Sequence, residues 1–439
     1  MKEKVVFFTL ADWGKGTYSD SQRKLDGKAA EENENSSIPS QGERKLDEEA
    51  AEGKNSEEGG KNNEHEQEHQ EESNCPDGNE LCQLQTARSM ISVASEKGKP
   101  SFILALGDNF YDSGVSSTED SMFTNNFRSI YFQESDVLQG IPWHAAIGNH
   151  DLGYGATGVS ALINRTTTHS DDDEWNMPGQ WYSMRYSSPY TFVVVEVILV
   201  DTTWLAPSEN EATSQIDGSI QSWRIEKHVN ELREIFEKSE MDPPTYRIVA
   251  GHYPIFSNGE KGDNSELVEN LLPLLQEFKV SCYLSGHDHS AQHLQYLGQN
   301  FFISGHSTMT NSQVNDDQNS AATLVYGNFG DAGFSRFEAT SSKLKMQYIG
   351  SNDTGVIYQY SFPPLRASRL QNTAKSAGEI VLATATLAFV AMTLVQLYFA
   401  RMRKTSHTQS NFISVVYTEP KLFNSEKPPT SPEDDDLEF

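Results

Sequence analysis

Five short stretches of this chain set acidic, amide, phenolic and imidazole side chains directly behind apolar runs. They read Asp12-Trp13-Gly14, Gly107-Asp108-Asn109-Phe110-Tyr111, Gly148-Asn149-His150-Asp151, Gly251-His252-Tyr253-Pro254 and Gly286-His287-Asp288-His289. Carboxylate, amide oxygen, phenolate and imidazole together suit Fe, Mn or Zn, whereas Ca²⁺ prefers all-oxygen sites and soft metals prefer thiolate. The stretches offer seven candidate ligands, more than one ion normally takes from a protein. Two ions sharing a carboxylate would use them all. Metal pairs roughly 3.5–4 Å apart recur as clamps for phosphoryl displacement, one activating water and both neutralising developing charge. Alone, each stretch reads as an ordinary loop; five in this order, each behind a buried strand, point to one cleft.

The elements that must position them are short. Val5–Leu10, Phe102–Leu106 and residues 144–147, 247–250 and 280–284 are compact apolar runs that read as buried strands. Ligands in open α/β sheets gather beyond the carboxyl ends of strands, and glycines there let the backbone turn beside a crowded site. Trp223, Val229, Leu232 and Phe236 fall at helical spacing, as do Leu267, Leu271, Leu274 and Phe278. Residues 190–200 read as one long strand rich in Val and Ile. From about 293 to 362 the pattern is mostly strands, including 343–349 and Val356–Phe362. A layered α/β fold with β-rich sheets in the middle is expected. The run after Lys2 and Lys4 is only six residues long and reads as the first strand; any signal peptide would lie upstream of Met1.

Composition narrows the function classes. The formal net charge is −29, and clustered Lys and Arg are what bind phosphate backbones, so a nucleic-acid partner is excluded. Residues 19–80 hold 19 acidic against 7 basic side chains and few apolar ones, too few to offset the entropy of ordering that backbone. Residues 16–82 are therefore expected to be a disordered acidic insertion. Within it Arg23-Lys24-Leu25-Asp26 recurs as Arg44-Lys45-Leu46-Asp47, a duplication too short and too polar for a solenoid. His65 and His69 there read as parts of a solvated loop. Cys75 and Cys82 are close enough in sequence to pair, and Cys282 reads as a buried thiol. His293, four residues after His289, reads as a strand residue rather than a ligand.

The five blocks resemble those of the metallophosphoesterase superfamily and, within it, the purple acid phosphatases of the small tartrate-resistant type. Most of that superfamily has Asp-x-His in the first block; here Gly14 stands in place of the His, and Tyr111, three residues after Asp108, supplies the missing ligand as in the purple phosphatases. Trp175-Asn176-Met177-Pro178 and Val200-Asp201-Thr202 look like the family's intervening segments. The resemblance implies a four-layer αββα sandwich over residues 1–364. It implies Fe(III) held by Asp12, Asp108, Tyr111 and His289, and a divalent Fe, Zn or Mn held by Asp108, Asn149, His252 and His287, with Asp108 bridging. His150 would orient substrate or protonate the leaving alkoxide. The implied reaction is hydrolysis of phosphate monoesters of small molecules or phosphoproteins by a metal-activated hydroxide, at acidic pH. Diesters or pyrophosphates are the alternative substrates. In one respect the chain departs from the pattern: nine residues after His252, where many relatives carry a substrate-contacting His, stands Lys261. It can attract phosphate as a point charge without acting as a general acid.

Residues 380–400 carry no charge and are followed by Arg401-Met402-Arg403-Lys404. About 20 apolar residues suffice to cross a bilayer as a helix, so a single span is expected after a linker at 365–379. The denser basic cluster beyond the run favours a cytoplasmic C-terminus, with the catalytic domain outside the cell or in a secretory or vacuolar lumen. The sequons Asn164-Arg165-Thr166 and Asn352-Asp353-Thr354 fit that side. A tail-anchored, cytosol-facing orientation is the alternative. The tail 401–439 is Pro-rich and acidic, expected to be disordered and open to a cytoplasmic partner. The chain also resembles phosphatase-fold membrane anchors that act as scaffolds. The complete ligand set favours catalysis.

Overall fold

The computed structural model describes residues 4–15, 80–169, 174–310, 320–352, 354–365 and 415–417. Two mixed sheets face one another. The first runs β14-β13-β12-β1-β2-β3-β4 and the second β11-β9-β10-β8-β7-β6-β5-β15. In chain order the strands are β1 Val5–Leu10, β2 Phe102–Leu106, β3 Trp143–Ala146, β4 Trp175–Asn176, β5 Tyr182–Ser187, β6 Val194–Leu199, β7 Tyr246–Ala250, β8 Cys282–Ser285, β9 Ala291–Tyr296, β10 Gln299–Ser304, β11 Thr323–Asn328, β12 Gly333–Ala339, β13 Leu344–Gly350, β14 Val356–Phe362 and β15 Val415–Tyr417. Strands β1 to β4 are parallel, as are β6, β7, β8 and β10, so both sheets aim their carboxyl ends at one end of the molecule.

The parallel strands β1, β2, β6, β7 and β8 are largely apolar because both their faces are covered, as parallel sheets require. Between the sheets Phe7 stacks on Phe102 and Phe337, and Phe102 on Tyr186 of the opposite sheet at 4.1 Å. Helix α1 (Glu80–Lys97) lays Ala87, Met90, Val93 and Ala94 into that same core. Helices α3 (Gly218–Met241), α4 (Ser265–Asn270) and α5 (Leu272–Glu277) bury Leu232, Phe236, Leu267 and Leu274 on the outer face of the second sheet. Helix α2 (Gly155–Thr168) follows β3. This is the layered α/β arrangement that was expected.

Local departures have identifiable causes. The segment 190–200 is not one strand: the chain reverses through Phe192 at φ 56°, and β5 and β6 pair antiparallel across that turn. Tyr190, Thr191 and Phe192 are themselves good strand formers, so composition hides the reversal. The apolar stretch 267–278 breaks at Leu271 into α4 and α5, because Pro273 has no backbone N–H to continue the helix. The buried stripe of α3 is Arg224, His228, Leu232, Phe236 and Ser239, one position off the expected Trp223 and Val229. Arg224 and His228 are buried by lying over the rings of Trp204 and Trp181, which a hydrophobicity pattern does not register.

Helix α1 begins at Glu80, so residues 80–82 belong to the folded domain rather than to the insertion. Cys82 is buried and disulfide-bonded, Cys282 is a free buried thiol, and Cys75 lies outside the described residues. His65, His69 and the rest of the acidic insertion also lie outside them, as do the duplicated segments and the apolar run 380–400. Among the described residues no helix is long and apolar enough to cross a membrane. Of the tail, Val415–Tyr417 pair antiparallel with β5. Asn164 and Asn352 are both exposed. His293 lies inside β9, buried and bonded to Tyr358 and Asn300 at 2.7 and 3.0 Å, as a strand residue should be.

Candidate metal centre

The turns after β1, β2, β3, β7 and β8 meet at the shared carboxyl end of the two sheets. Asp12, Asp108 and His287 take φ values of 57°, 49° and 67° there. Non-glycine residues in this region cost of order 1–3 kcal/mol each and are held only where the surroundings dictate them. All three are buried. The turns fold their side chains back over the strand ends instead of letting them continue outward.

The resulting contacts converge. The Tyr111 hydroxyl lies 3.0 Å from Asp108 Oδ2 and 3.2 Å from Asp12 Oδ1, joining the first two blocks. His289 Nε2 is 3.8 Å from Asp12 Oδ1. His252 Nε2 is 3.4 Å from Asp108 Oδ1 and 3.1 Å from Asn149 Oδ1. Its other nitrogen, Nδ1, is 2.9 Å from the Leu106 carbonyl oxygen. A carbonyl only accepts, so Nδ1 donates to it and Nε2 is turned toward Asp108 and Asn149, the usual orientation of a metal-binding imidazole. Asp108, His252 and His287 place ligand atoms within 4.8 Å of one another. All seven expected ligands are thus brought to one place, around Asp108.

Charge balance points the same way. Burial opposes ionisation of Asp108, but the neighbouring His252, His150 and His287 outweigh it and hold the carboxyl well below the usual range. Burial pushes Asp12 up, helped by the negative Asp108, and pushes the Tyr111 phenol up for the same two reasons. Burial works against a charged His252, yet Asp108 overcomes it and raises that imidazole to about 9. Burial lowers His287, and lowers His289 to about 4. The pocket holds two carboxylates and a phenol at contact distance, stabilised by a proton on His252. Cations fit the oxygen and imidazole donors better than that proton does.

Several residues not singled out from sequence build the frame. Asp151 accepts from the backbone N–H groups of Gly148 at 2.9 Å and Asn109 at 3.1 Å, and from the Asn109 amide at 2.9 Å. Asn109 donates in turn to the Ala146 carbonyl and accepts from Trp13 Nε1. Asp288, between two histidines, accepts from Ser257 Oγ at 2.6 Å and from the Lys261 backbone N–H at 3.3 Å. Their signal was present, since all three sit inside the five blocks, but residue type alone does not separate a ligand from its support. Gly14 now has a reason: a Cβ there would stand 1.6 Å from the Asn109 carbonyl oxygen, leaving no room for a histidine.

His150 stands at the mouth, 38% exposed, with Nε2 3.9 Å from Asp108 Oδ2. Its Nδ1 is 2.7 Å from the Asp112 carbonyl oxygen, which turns Nε2 toward the cleft. Lys261 is exposed on the loop after His252, and its charge disfavours protonation of His287 and His289.

A family profile described as calcineurin-like phosphoesterase matches residues 69–291. Tartrate-resistant acid phosphatase type 5 of Sus scrofa is 32% identical over 273 residues, covering 61% of this chain and 77% of that protein. Purple acid phosphatase 7 of Arabidopsis thaliana is 29% identical over 265 residues, covering 59% and 75%. Among solved structures, GAP50, the anchor in the inner membrane complex of Plasmodium, superposes with a TM-score of 0.58 at 20% identity, covering 83% of this chain and 90% of that one.

Proposed function

Because the chain belongs to the calcineurin-like metallophosphoesterase family, with tartrate-resistant and purple acid phosphatases as its relatives, we propose that it is an acid phosphatase acting on phosphate monoesters at a dinuclear Fe(III)–M(II) site. The observation that carries this reading is the Tyr111 hydroxyl poised between Asp12 and Asp108 where Gly14 leaves no space for a histidine. Fe(III) would be held by Asp12, Asp108, Tyr111 and His289, and the divalent ion by Asp108, Asn149, His252 and His287. When bound, such ions acidify a water and neutralise charge at phosphorus. The chain's own residues do the rest. Asp151 and Asn109 fix the turns that carry Asp108 and Asn149. The His252 bond to Leu106 sets its ring. His150 Nε2 gives a proton to the leaving oxygen from the open side of the cleft. The substrates are phosphorylated small molecules or phosphoproteins.

Iron analysis and a visible spectrum of the purified full chain test this. A tyrosinate-to-iron absorption should be present, together with hydrolysis of p-nitrophenyl phosphate, and Tyr111→Phe should abolish the band. An iron-free, colourless protein that hydrolyses no monoester would sink the assignment and leave a phosphatase-fold scaffold. A panel adding diesters and pyrophosphate separates the substrate classes.

We further propose that the run 380–400 anchors the domain to a membrane as a single span, with the metal site outside the cell or in a secretory or vacuolar lumen. A chain that crosses once cannot keep Val415–Tyr417 on β5, so the two arrangements exclude one another. Protease accessibility of the tail in sealed vesicles decides between them. A protected tail alongside an exposed catalytic domain supports the crossing, and equal exposure of both rejects it.

A further inference from the structure

The end of the sandwich opposite the metal site carries the most exposed apolar side chains of the described residues. Phe192, Met241 and Leu297 are 89%, 81% and 80% exposed, and Tyr190 is 54% exposed. None is near the cleft. Tyr190 and Phe192 lie in the turn that leads into β6, and Met241 closes α3 just before β7. Leu297 is in the turn between β9 and β10, whose Asn300 is level with Cys282 at the start of β8. All these turns sit at the amino ends of parallel strands, whereas the ligands sit at the carboxyl ends. In the second sheet β10, β8, β7 and β6 are neighbours, so the row from Leu297 to Phe192 extends about 15 Å at the usual strand spacing. Two exposed lysines join it: Lys279 just before β8, and Lys343 in the β12–β13 turn of the first sheet. The Tyr246 hydroxyl, bonded to the Thr340 carbonyl at 2.8 Å, ties the two sheets together at this end.

The chain leaves the domain at this same end. The Leu365 N–H donates to the Thr245 carbonyl at 3.0 Å, and the Thr245 N–H to Val194 at the start of β6. Fourteen residues separate Leu365 from the uncharged run 380–400. The exit point, the exposed aromatic and aliphatic tips and the flanking lysines therefore share one face.

Resting on the membrane attachment proposed above, we propose that this face lies against the lipid bilayer, with Phe192, Met241 and Leu297 dipping into the headgroup region and Lys279 and Lys343 meeting lipid phosphates. Amphipathic and aromatic side chains at a water–lipid boundary gain apolar contact without burying charge, and basic neighbours reach lipid phosphates. The proposal goes beyond membrane attachment by the run 380–400 and fixes how the domain sits on it. The metal cleft then opens away from the bilayer, toward esters in the aqueous phase.

The test uses the full chain in vesicles of phosphatidylcholine. Environment-sensitive labels are placed one at a time at Phe192→Cys, Leu297→Cys, Tyr154→Cys beside the metal-site end, and Thr393→Cys within the run. A spin-labelled lipid serves as the quencher. Labels at 192, 297 and 393 should blue-shift and lose most of their emission, while the label at 154 keeps its own. Quenching at 393 with none at 192 and 297 overturns the orientation and leaves membrane attachment standing. No quenching at any position overturns both. Quenching at 154 in place of 192 and 297 turns the domain over and defeats the proposal.

Discussion

At the scale of single residues, Gly14 and Tyr111 form a reciprocal pair. The first block closes so tightly on the second that any side chain at 14 would strike the Asn109 carbonyl, and the phenol of Tyr111 reaches both carboxylates instead. Gly14→Ala should therefore destabilise the fold by about 3 kcal/mol, an overpacking cost, even with no metal added. Urea unfolding of metal-stripped protein checks it; a variant as stable as the parent would refute the close approach. Asn149→Ala should remove one of two metal equivalents along with phosphatase activity, read by metal analysis and p-nitrophenyl phosphate turnover. Full activity with the second metal gone would defeat the dinuclear reading. His150→Ala should keep both equivalents and lose roughly 10²–10⁴-fold in kcat, the usual range for a lost general acid. The seven candidate ligands and His150 were singled out from residue type, order and the family resemblance, and the structure brings the seven together. The supports Asp151, Asn109 and Asp288 were not separable from ligands, because a carboxylate that accepts backbone N–H groups looks in sequence like one that faces a cation.

At the scale of elements, the five short strands were recoverable because each is apolar on both faces, the mark of a covered parallel sheet. The paired strand β5 and the true stripe of α3 were not. His228 explains the second. It is fully buried, stacks on Trp181 at 4.2 Å, and neither ring nitrogen has a hydrogen-bond partner among the described residues. Burial lowers its pKa to about 3. An unfolded histidine titrates near 6.5. Between those values the unfolded chain binds a proton that the folded chain refuses. This site's contribution to stability is thus complete above about pH 6.5 and shrinks as pH falls toward 3, by up to about 1.4 kcal/mol per pH unit. His228→Phe keeps a ring against Trp181 and removes the proton. Its stability relative to the parent should rise between pH 7 and pH 5 in parallel urea melts. A constant difference would show that His228 is not buried neutral.

At the scale of the whole molecule, the metal site is where the two sheets' strand ends meet. Asp12 and Asp108 come from one sheet, His252 and His287 from the other. A bound metal pair should therefore act as a clasp between them. Loading should raise stability by roughly 4 kcal/mol when free metal exceeds Kd a thousandfold, and chelation should reverse it. Asp12→Asn should shrink that difference. A thermal midpoint indifferent to metal would argue that the sheets do not share the ions. The same architecture puts the candidate ligands at one end and the chain exit with its exposed apolar tips at the other.

The sequence alone determined which side chains are candidates to bind metal and that each follows a buried strand; that Tyr111 stands for the absent first-block histidine is what the family resemblance implied. Those are properties of residue type and short-range spacing, which a linear reading preserves. Tertiary structure decided what depends on contacts between separate strands and loops. It showed why position 14 is glycine, how Asp288 holds the Lys261 loop to the histidine pair, where the chain reverses from β5 into β6, and that Leu297, Met241 and Phe192 share one face. Such relations join residues far apart in sequence, and no local periodicity encodes a contact made only when separate turns fold together.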